Sequence, residues 1–292
     1  MSFNLFETVL DENKLHPYFK EIMNAPEYAE THKIINEWSE GIFERRGEAV
    51  KFINEFQTSF NSSYWEIYLN KAFKLLEFKI DYTKSSPDFN LQNKYNKNIS
   101  VEAVTSNPSA LPTLKLDISS MPKENFLDDS TLKLSGKIRD KHQLYLGNGK
   151  NKNPYSSLEH VKGNPFVLAI APFDSKLSQS QNNTAMNRVL YGLEPPVNYN
   201  EPQTAVASIK NKNGIDINLG IFTNDSYKEI SAVIFSTTGT FGKAVALAGT
   251  ASFVKTTRLR KMGIVEFLAK EGLEKIGKSI TKVSDTYDIF SE

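Results

Sequence analysis

The feature that most restricts the fold of this chain is an unbroken apolar run, "PFVLAIAPF", from Pro165 to Phe173. Gly163 and Asn164 precede it, and such residues commonly interrupt regular structure. An apolar run of this length without a polar position is typical of a strand that is covered on both of its faces. We therefore expect a central buried strand and an α/β fold class.

The segments before this run predict a helix, three short strands and a second helix, in that order. Apolar residues recur with helical spacing in "NSSYWEIYLNKAFKLLEF" (61–78). The next three segments alternate as strands do: "FKIDYT" (78–83), "PDFNLQ" (87–92) and "ISVEAVT" (99–105). "DDSTLKLSGKIRDKHQLYLGNG" begins with an Asp/Ser cluster and ends in glycines, which predicts a helix.

The rest of the chain predicts additions to this core. Residues 1–60 carry spaced aromatic residues and form an N-terminal helical region, and residues 61–292 form the α/β domain. "IDINLGIF" (215–222) and "ISAVIFS" (230–236) are expected to extend the sheet, whereas the polar tract 174–187 is expected to be an exposed loop. "GIVEFLAKEGLEKIGKSITKV" (263–283) predicts a C-terminal amphipathic helix that packs outside the sheet.

Composition excludes several classes of function. The chain has no cysteine, so it cannot form disulfides or thiolate metal sites, and we expect any metal to be held by oxygen ligands. A net charge of +1 gives no overall attraction to polyanions, so a nucleic-acid site would need local clusters of Lys and Arg. Without a long apolar segment or a basic leader, we expect a cytoplasmic protein that does not bind membranes.

Two acidic residues stand at unusual positions. One lies in a segment where burial of a carboxylate costs free energy, and the other directly follows a proline. Glu102 lies inside the apolar-rich predicted strand "ISVEAVT", and Asp88 directly follows Pro87. An ionised carboxylate withdrawn from water is expensive unless a cation or a metal ion pairs with it. Glu66, at the edge of the apolar stripe of the preceding helix, is a third candidate acid.

Pro87-Asp88, Glu102 in "VEAV" and Glu66 in "WEIYL", within this order of elements, resemble the PD-(D/E)XK nuclease superfamily. The resemblance covers about residues 60–175, and "HVKGNPFVLAI", "NRVLYG" and "FSTTGT" are similar to bacterial stand-alone proteins with this fold. It implies a restriction-endonuclease-like fold, in which helices flank a central mixed sheet. It also implies catalytic acids at Glu66, Asp88 and Glu102 that bind Mg²⁺, with Mn²⁺ as a substitute ion.

The lysine of the family's pattern is displaced in this chain. Val104 stands two residues after Glu102, where the superfamily has its lysine. A replacement from the following helix occurs in some members, and Lys141 shares an inward stripe with apolar residues while Lys137 lies to its side. We expect Lys137 or Lys141 to supply the ammonium group, which would orient water and stabilise phosphate charge. The structural alternative is a lysine that extends to solvent at the helix edge.

The expected function is a metal-dependent DNA endonuclease of the restriction or phage-defence type, acting alone or as a homodimer. The segment "KTTRLRKMG" offers nucleic-acid contacts at Lys255, Arg258, Arg260 and Lys261, although such clusters are also typical of solvated surfaces. A second hypothesis, which Val104 favours, is an inactive module of the same fold that binds nucleic acid or serves as a scaffold subunit. A third is an unrelated α/β protein.

Each candidate acid also has a structural explanation. Pro-Asp is a common turn pair, which would account for Asp88. Ser63 and Glu66 match the capping box S-x-x-E of a helix N-terminus. The structural alternatives for Glu102 are a charge on an edge strand and a carboxylate paired with a core lysine.

Overall fold

A five-stranded mixed sheet lies at the centre of the structure. The computed structural model describes residues 4–7, 9–44, 49–106, 126–147, 153–173, 181–194 and 202–249. The α-helices in these ranges are α1 (Pro17–Met23), α2 (Ala29–Trp38), α3 (Ala49–Thr58), α4 (Phe60–Leu75), α5 (Phe126–Leu146), α6 (Thr184–Tyr191) and α7 (Phe241–Ala248). The strands are β1 (Lys79–Ile80), β2 (Phe89–Gln92), β3 (Asn98–Thr105), β4 (Phe166–Ala171), β5 (Leu193–Glu194), β6 (Thr204–Ala205), β7 (Ser208–Lys210), β8 (Asp216–Asn218) and β9 (Ala232–Phe235).

The central sheet has the order β1-β2-β3-β4-β9. β1, β2 and β3 are antiparallel neighbours, whereas β3, β4 and β9 run parallel to one another. Parallel neighbours require a crossover between them, and α5 lies in the connection from β3 to β4. The mixed α/β class expected from the sequence is therefore confirmed.

β4 is the central strand that the apolar run predicted. All six of its residues are buried, and it pairs with β3 on one side and β9 on the other. Its alternate residues enter two different hydrophobic cores, since Val167 and Ala169 belong to one and Phe166, Leu168 and Ile170 to the other. A strand that fills both cores has no solvent-facing position, which is why its sequence lacks polar residues.

The two cores lie on opposite faces of the sheet. The first core contains buried residues of α1 to α4 together with Phe89, Leu91 and Val101. The second contains Val104 with residues of α5 and α6, among them Leu134, Ile138 and Val189. The helices of the first 58 residues thus share one continuous core with α4 and the sheet.

Polar contacts hold α5 against the elements around it. Near its start, Asp128 Oδ1 accepts a hydrogen bond of 2.6 Å from Arg188 of α6, which also pairs with Glu194. Near its end, His142 Nε2 lies 2.8 Å from Glu229 Oε2, just before β9. Arg188 is largely buried, so these pairs fix α5 at two separated points.

Two sequence predictions are wrong. Segment 215–222 does not extend the central sheet, because β8 pairs with β7 in a separate hairpin that closes through a turn ending at Gly214. The end of the tract 174–187 is helical, since α6 begins at Thr184, and Gln181 is buried rather than exposed. The C-terminal helix predicted at 263–283 lies outside the described residues. Within the described part of the chain, no helix is long and apolar enough to cross a bilayer.

Two glycines provide a matched test of this packing. A Cβ at Gly239 would lie 2.5 Å from a ring carbon of buried Trp65, whereas a Cβ at Gly136 in α5 would meet no atom within 4 Å. We expect Gly239→Ala to lower the free energy of unfolding by about 1–3 kcal/mol. Gly136→Ala should raise it by about 1 kcal/mol, because alanine favours the helix. Denaturant unfolding of both variants measures these changes, and equal effects would contradict the packing around Trp65.

Candidate functional site

The sheet brings Asp88 and Glu102 together on neighbouring strands. β2 and β3 pair Phe89 with Val101, and the Oδ2 atom of Asp88 accepts a hydrogen bond of 2.8 Å from the backbone N–H of Ala103. Phe89 and Val101 face the first core, so the alternation of β3 turns Glu102 toward the α5 side of the sheet. Asp88, just before β2, is therefore anchored to the strand that carries Glu102.

Helix α5 supplies the cation of this cluster. Leu134 and Ile138 are buried against the sheet, and Lys141 follows them on the same stripe. Its Nζ atom donates a hydrogen bond of 2.6 Å to Oε1 of Glu102. The helical spacing of the apolar residues thus brings one ammonium group onto the carboxylate of β3.

The carboxylate of Glu102 lies in an environment that disfavours its charge. Its side chain is almost completely buried, and the residue beside it on β4 is the buried Leu168. Burial and the nearby charge of Asp88 raise its pKa from 4.5 to about 7, although Lys141 and, more weakly, Tyr155 favour the ionised form. One ammonium group therefore does not fully compensate this carboxylate.

The charges around Lys141 leave a surplus of negative charge. Burial alone would lower its pKa, but Glu102, Asp88 and Glu66 outweigh that effect and raise it. Glu66 comes from α4 and is half-buried. When ionised, three carboxylates and one ammonium carry a net charge of −2, which favours the entry of another cation.

An unsatisfied atom lies within this acidic cluster. Oε2 of Glu102 is buried and has no hydrogen-bond partner in the described part of the chain. Such an atom is costly unless something binds it. A hard divalent cation fits this donor set, because Mg²⁺ uses one or two carboxylates and completes its shell with water and substrate oxygens. In the described ranges, no group of three or more His, Cys, Asp or Glu residues is arranged to hold a metal ion.

Tyr155 belongs to the site but was not found from the sequence. It lies in a turn between α5 and β4, and its hydroxyl interacts with Glu102 and Ser86. Burial and the charges of Glu102 and Asp88 raise its pKa well above the ordinary value, so the hydroxyl stays protonated near neutral pH. No helical or strand periodicity marks a residue in such a turn, and only its position before the apolar run could have suggested it.

The other candidate residues have different positions. Lys137 makes no ion pair with a described carboxylate, and its charge is not among those that act on Glu102. The expected nucleic-acid contacts Lys255, Arg258, Arg260 and Lys261 lie outside the described residues.

Two of the structural explanations for the acids are wrong, and one is realised. Glu66 is not part of a capping box, because α4 begins at Phe60 with Ser59 as its N-cap and Ser63 lies buried within the helix. Glu102 is not an edge charge, since β3 lies between β2 and β4. It does pair with a lysine, as the remaining alternative held.

Comparisons of this chain with protein-family models, curated proteins and solved structures find no match. The functional proposal therefore rests on the residues of the site.

The raised pKa of Glu102 predicts an unusual dependence of stability on pH. The pKa of Glu102 is about 7 in the folded protein and near 4.5 when unfolded, so the folded state holds this proton more tightly. The free energy of unfolding should therefore fall as pH rises from about 4.5 to about 7, by on the order of 3 kcal/mol. Without divalent cations, Glu102→Gln should remove this decrease, as measured by denaturant unfolding between pH 4 and pH 8.

Glu27→Gln is the matched control, because Glu27 is an exposed carboxylate on the surface. It should leave the slope of stability against pH unchanged. An unchanged slope in the Glu102→Gln variant would show instead that Lys141 compensates the carboxylate fully.

Proposed function

We propose that this protein is a metal-dependent nuclease that hydrolyses phosphodiester bonds, with DNA as its substrate and Mg²⁺, or Mn²⁺ in its place, as its cofactor. The proposed fold is restriction-endonuclease-like. In support, α4 is followed by the antiparallel strands β1, β2 and β3, then by α5 and the parallel strand β4. The resemblance to the PD-(D/E)XK nuclease superfamily also leads us to propose a role in restriction or phage defence, carried out by a monomer or a homodimer.

One observation carries the proposal: the carboxylate of Glu102 is buried beside Asp88, contacts Lys141 through one oxygen and leaves the other without a partner among the described residues. A lysine partner alone would explain Glu102 as part of the core. It would not explain the surplus of carboxylates or the unsatisfied Oε2 atom. Both features fit a centre that receives a divalent cation and a phosphate group.

Each residue of the site has a proposed role in phosphodiester hydrolysis. Asp88 and Glu102 would hold the cation, and Glu66 of α4 adds negative charge that acts on Lys141. The cation when bound polarises the phosphate and lowers the pKa of water. Lys141 places a fixed positive charge where it can donate a hydrogen bond to a phosphate oxygen or to the attacking water. Tyr155, which remains protonated, is a further hydrogen-bond donor beside the acids.

An inactive module that binds nucleic acid or serves as a scaffold subunit is the second candidate. Val104 favours it, since this buried aliphatic residue faces the same side of β3 as Glu102 and stands where the superfamily has its lysine. The contact between Lys141 and Glu102 favours the enzyme, because it supplies an ammonium group from α5 instead. Cleavage assays and cation binding separate the two candidates.

Cleavage assays test the enzyme. In Mg²⁺ or Mn²⁺, the protein should cut DNA, and Asp88→Asn, Glu102→Gln and Lys141→Met should each lower the rate by on the order of 100-fold or more. Plasmid nicking and labelled single-stranded and duplex oligonucleotides of DNA and RNA report the activity. The matched control is Lys137→Met, which removes a lysine one turn away on α5 and should leave the rate unchanged.

Equal losses in the Lys137→Met and Lys141→Met variants would contradict the assigned role of Lys141. DNA cutting that survives in both acid variants would exclude the proposed nuclease centre.

Cation binding gives a test that does not depend on activity. A divalent ion that binds only the folded protein should stabilise it by about 3 kcal/mol at a hundredfold excess over its Kd. We expect Mn²⁺ to raise the melting temperature of the parent protein and to have little effect on Glu102→Gln. Calorimetric titration should show one class of site that the substitution removes, and retention of this site in Glu102→Gln would place the ion elsewhere.

A further inference from the structure

A cavity lined by both polar and apolar residues lies beside β1, β2 and β3, and several of its polar side chains lie on the sheet face that carries the proposed nuclease centre. The cavity has a volume of about 340 Å³ and is lined by residues of β1, β2 and β3 together with His160. Asn90 and Gln92 on β2 and Asn98 and Ser100 on β3 lie on the same side of their strands as Glu102. We name these four residues the amide shelf.

The amide shelf runs from exposed Asn98 through half-buried Gln92 and Asn90 to buried Ser100. α5 and α6 pack over β3 and β4, where the second core lies. The side chains that β2 and β3 turn away from the first core at their far end are Asn, Gln and Ser instead of apolar residues. A cavity that combines apolar lining residues, here Ile80, Leu91 and Ile99, with a few polar groups that can orient a ligand is typical of a small-molecule site.

The shelf is continuous with the acidic centre. Asn90 is two residues from Asp88 along β2, and Ser100 is two residues from Glu102 along β3, which places them about 7 Å apart in each pair. The turn between α5 and β4 contributes to both, since Tyr155 lies at the acids and His160 lines the cavity. His160 Nε2 donates a hydrogen bond of 2.7 Å to the carbonyl oxygen of Ser86, which fixes this turn beside Asp88.

The charge of the lining decides what the cavity can take. The titratable side chains in its lining are one lysine, Lys79, one aspartate, Asp81, and one histidine, His160. A phosphate subsite has a surplus of cations, and this lining has none. Amide and hydroxyl groups instead match neutral ligands that both donate and accept hydrogen bonds, as the edges of nucleotide bases do.

The internal hydrogen bonds of the shelf are long and leave its amides available. Gln92 Nε2 donates to Asn98 Oδ1 at 3.3 Å, and Ser100 Oγ donates to Asn90 Oδ1 at 3.4 Å. Each amide retains further donors or acceptors beyond these bonds. A base edge could therefore bind without first breaking a strong contact.

We propose that the amide shelf binds an unpaired nucleotide base of the substrate, next to the phosphate that the acidic centre cleaves. This inference rests on the proposed nuclease function and adds a preference for a single-stranded or locally opened substrate. The volume, near the lower end of the range of about 300–1,000 Å³ for small-ligand sites, matches a ligand of the size of one nucleotide base. Unpaired bases expose the polar edges that amides recognise.

The test removes a hydrogen-bonded pair without leaving either partner unsatisfied. Gln92 and Asn98 lie at the end of the shelf away from Asp88, and Gln92→Ala with Asn98→Ala deletes both sides of their bond. The matched control replaces two exposed asparagines, Asn24→Ala with Asn213→Ala. Asn90→Ala with Ser100→Ala, which deletes both sides of the second bond, serves as a second shelf variant. Circular dichroism and melting temperatures confirm that the double variants fold.

Binding is measured without divalent cation by fluorescence anisotropy of a labelled single-stranded DNA oligonucleotide. We expect the shelf variants to raise its Kd about tenfold, while the control double variant leaves the Kd unchanged. The same strand within a duplex, and a strand with abasic positions in place of its bases, should bind the parent protein more weakly. Equal Kd values for the parent and shelf variants, no binding by the parent, or equal binding of normal and abasic strands would each overturn the proposal.

Kinetics with Mg²⁺ separate this inference from the nuclease itself. The shelf variants should raise KM for single-stranded DNA and leave kcat unchanged, because the acids and Lys141 are intact. If Glu102→Gln abolishes cleavage but the shelf variants keep the parent KM, the nuclease stands and the shelf proposal is wrong. If the shelf variants lose binding but no cleavage depends on Asp88 or Glu102, the shelf binds nucleic acid and the nuclease proposal is wrong.

Discussion

Glu102 is a buried carboxylate on β3 with apolar neighbours on its own strand and on β4. Its negative charge must therefore be compensated by a residue from another element. Leu168 flanks it on β4 and Val104 follows it on the same face, so water cannot solvate its charge. The compensation comes from Lys141, a residue 39 positions further along the chain. The position of α5 on the sheet therefore determines the electrostatics of the site. The ion pair with Lys141 compensates the charge of Glu102 only in part.

The incomplete compensation of the Glu102 charge suggests a role for the cluster beyond stability. If stability alone governed this position, an apolar residue at Glu102 would remove both the desolvation cost and the need for Lys141. The chain instead retains a carboxylate whose pKa is raised to about 7 and surrounds its lysine with two further acids. Such a shifted group in a cluster of charges is typical of functional sites, although structural ion pairs shift pKa values as well.

The sequence predicts those parts of the site that depend on local periodicity. Alternation in "ISVEAVT" places Glu102 opposite the residues that face the first core, and the stripe through Leu134 and Ile138 turns Lys141 inward. Periodicity alone cannot choose between Lys141 and Lys137, because that choice depends on how far along the sheet α5 docks. Tyr155 lies in a turn without regular spacing, so only tertiary structure brings it to the acids.

The same limit explains what the sequence misjudges in the fold. Part of segment 215–222 does form a strand, but alternation does not specify which strand it pairs with. A nearby turn brings Asp216–Asn218 against Ser208–Lys210, so this strand does not join the central sheet. The cavity beside the amide shelf cannot be predicted from sequence patterns either, because tertiary structure brings His160 to residues of three strands. The sequence shows the polar residues of β2 and β3, but it does not show that a cavity lies beside them.

The anchoring of α5 at both ends has a consequence for how the molecule loses its function on heating. The helix is fixed at Asp128 by Arg188 and at His142 by Glu229, whereas the acids belong to the sheet and to α4. A partial opening that releases these anchors would withdraw the ammonium group and leave neighbouring carboxylates to repel one another. Separation of the acidic cluster from Lys141 would then precede melting of the sheet, and the stability of these two ion pairs would set the temperature at which it occurs.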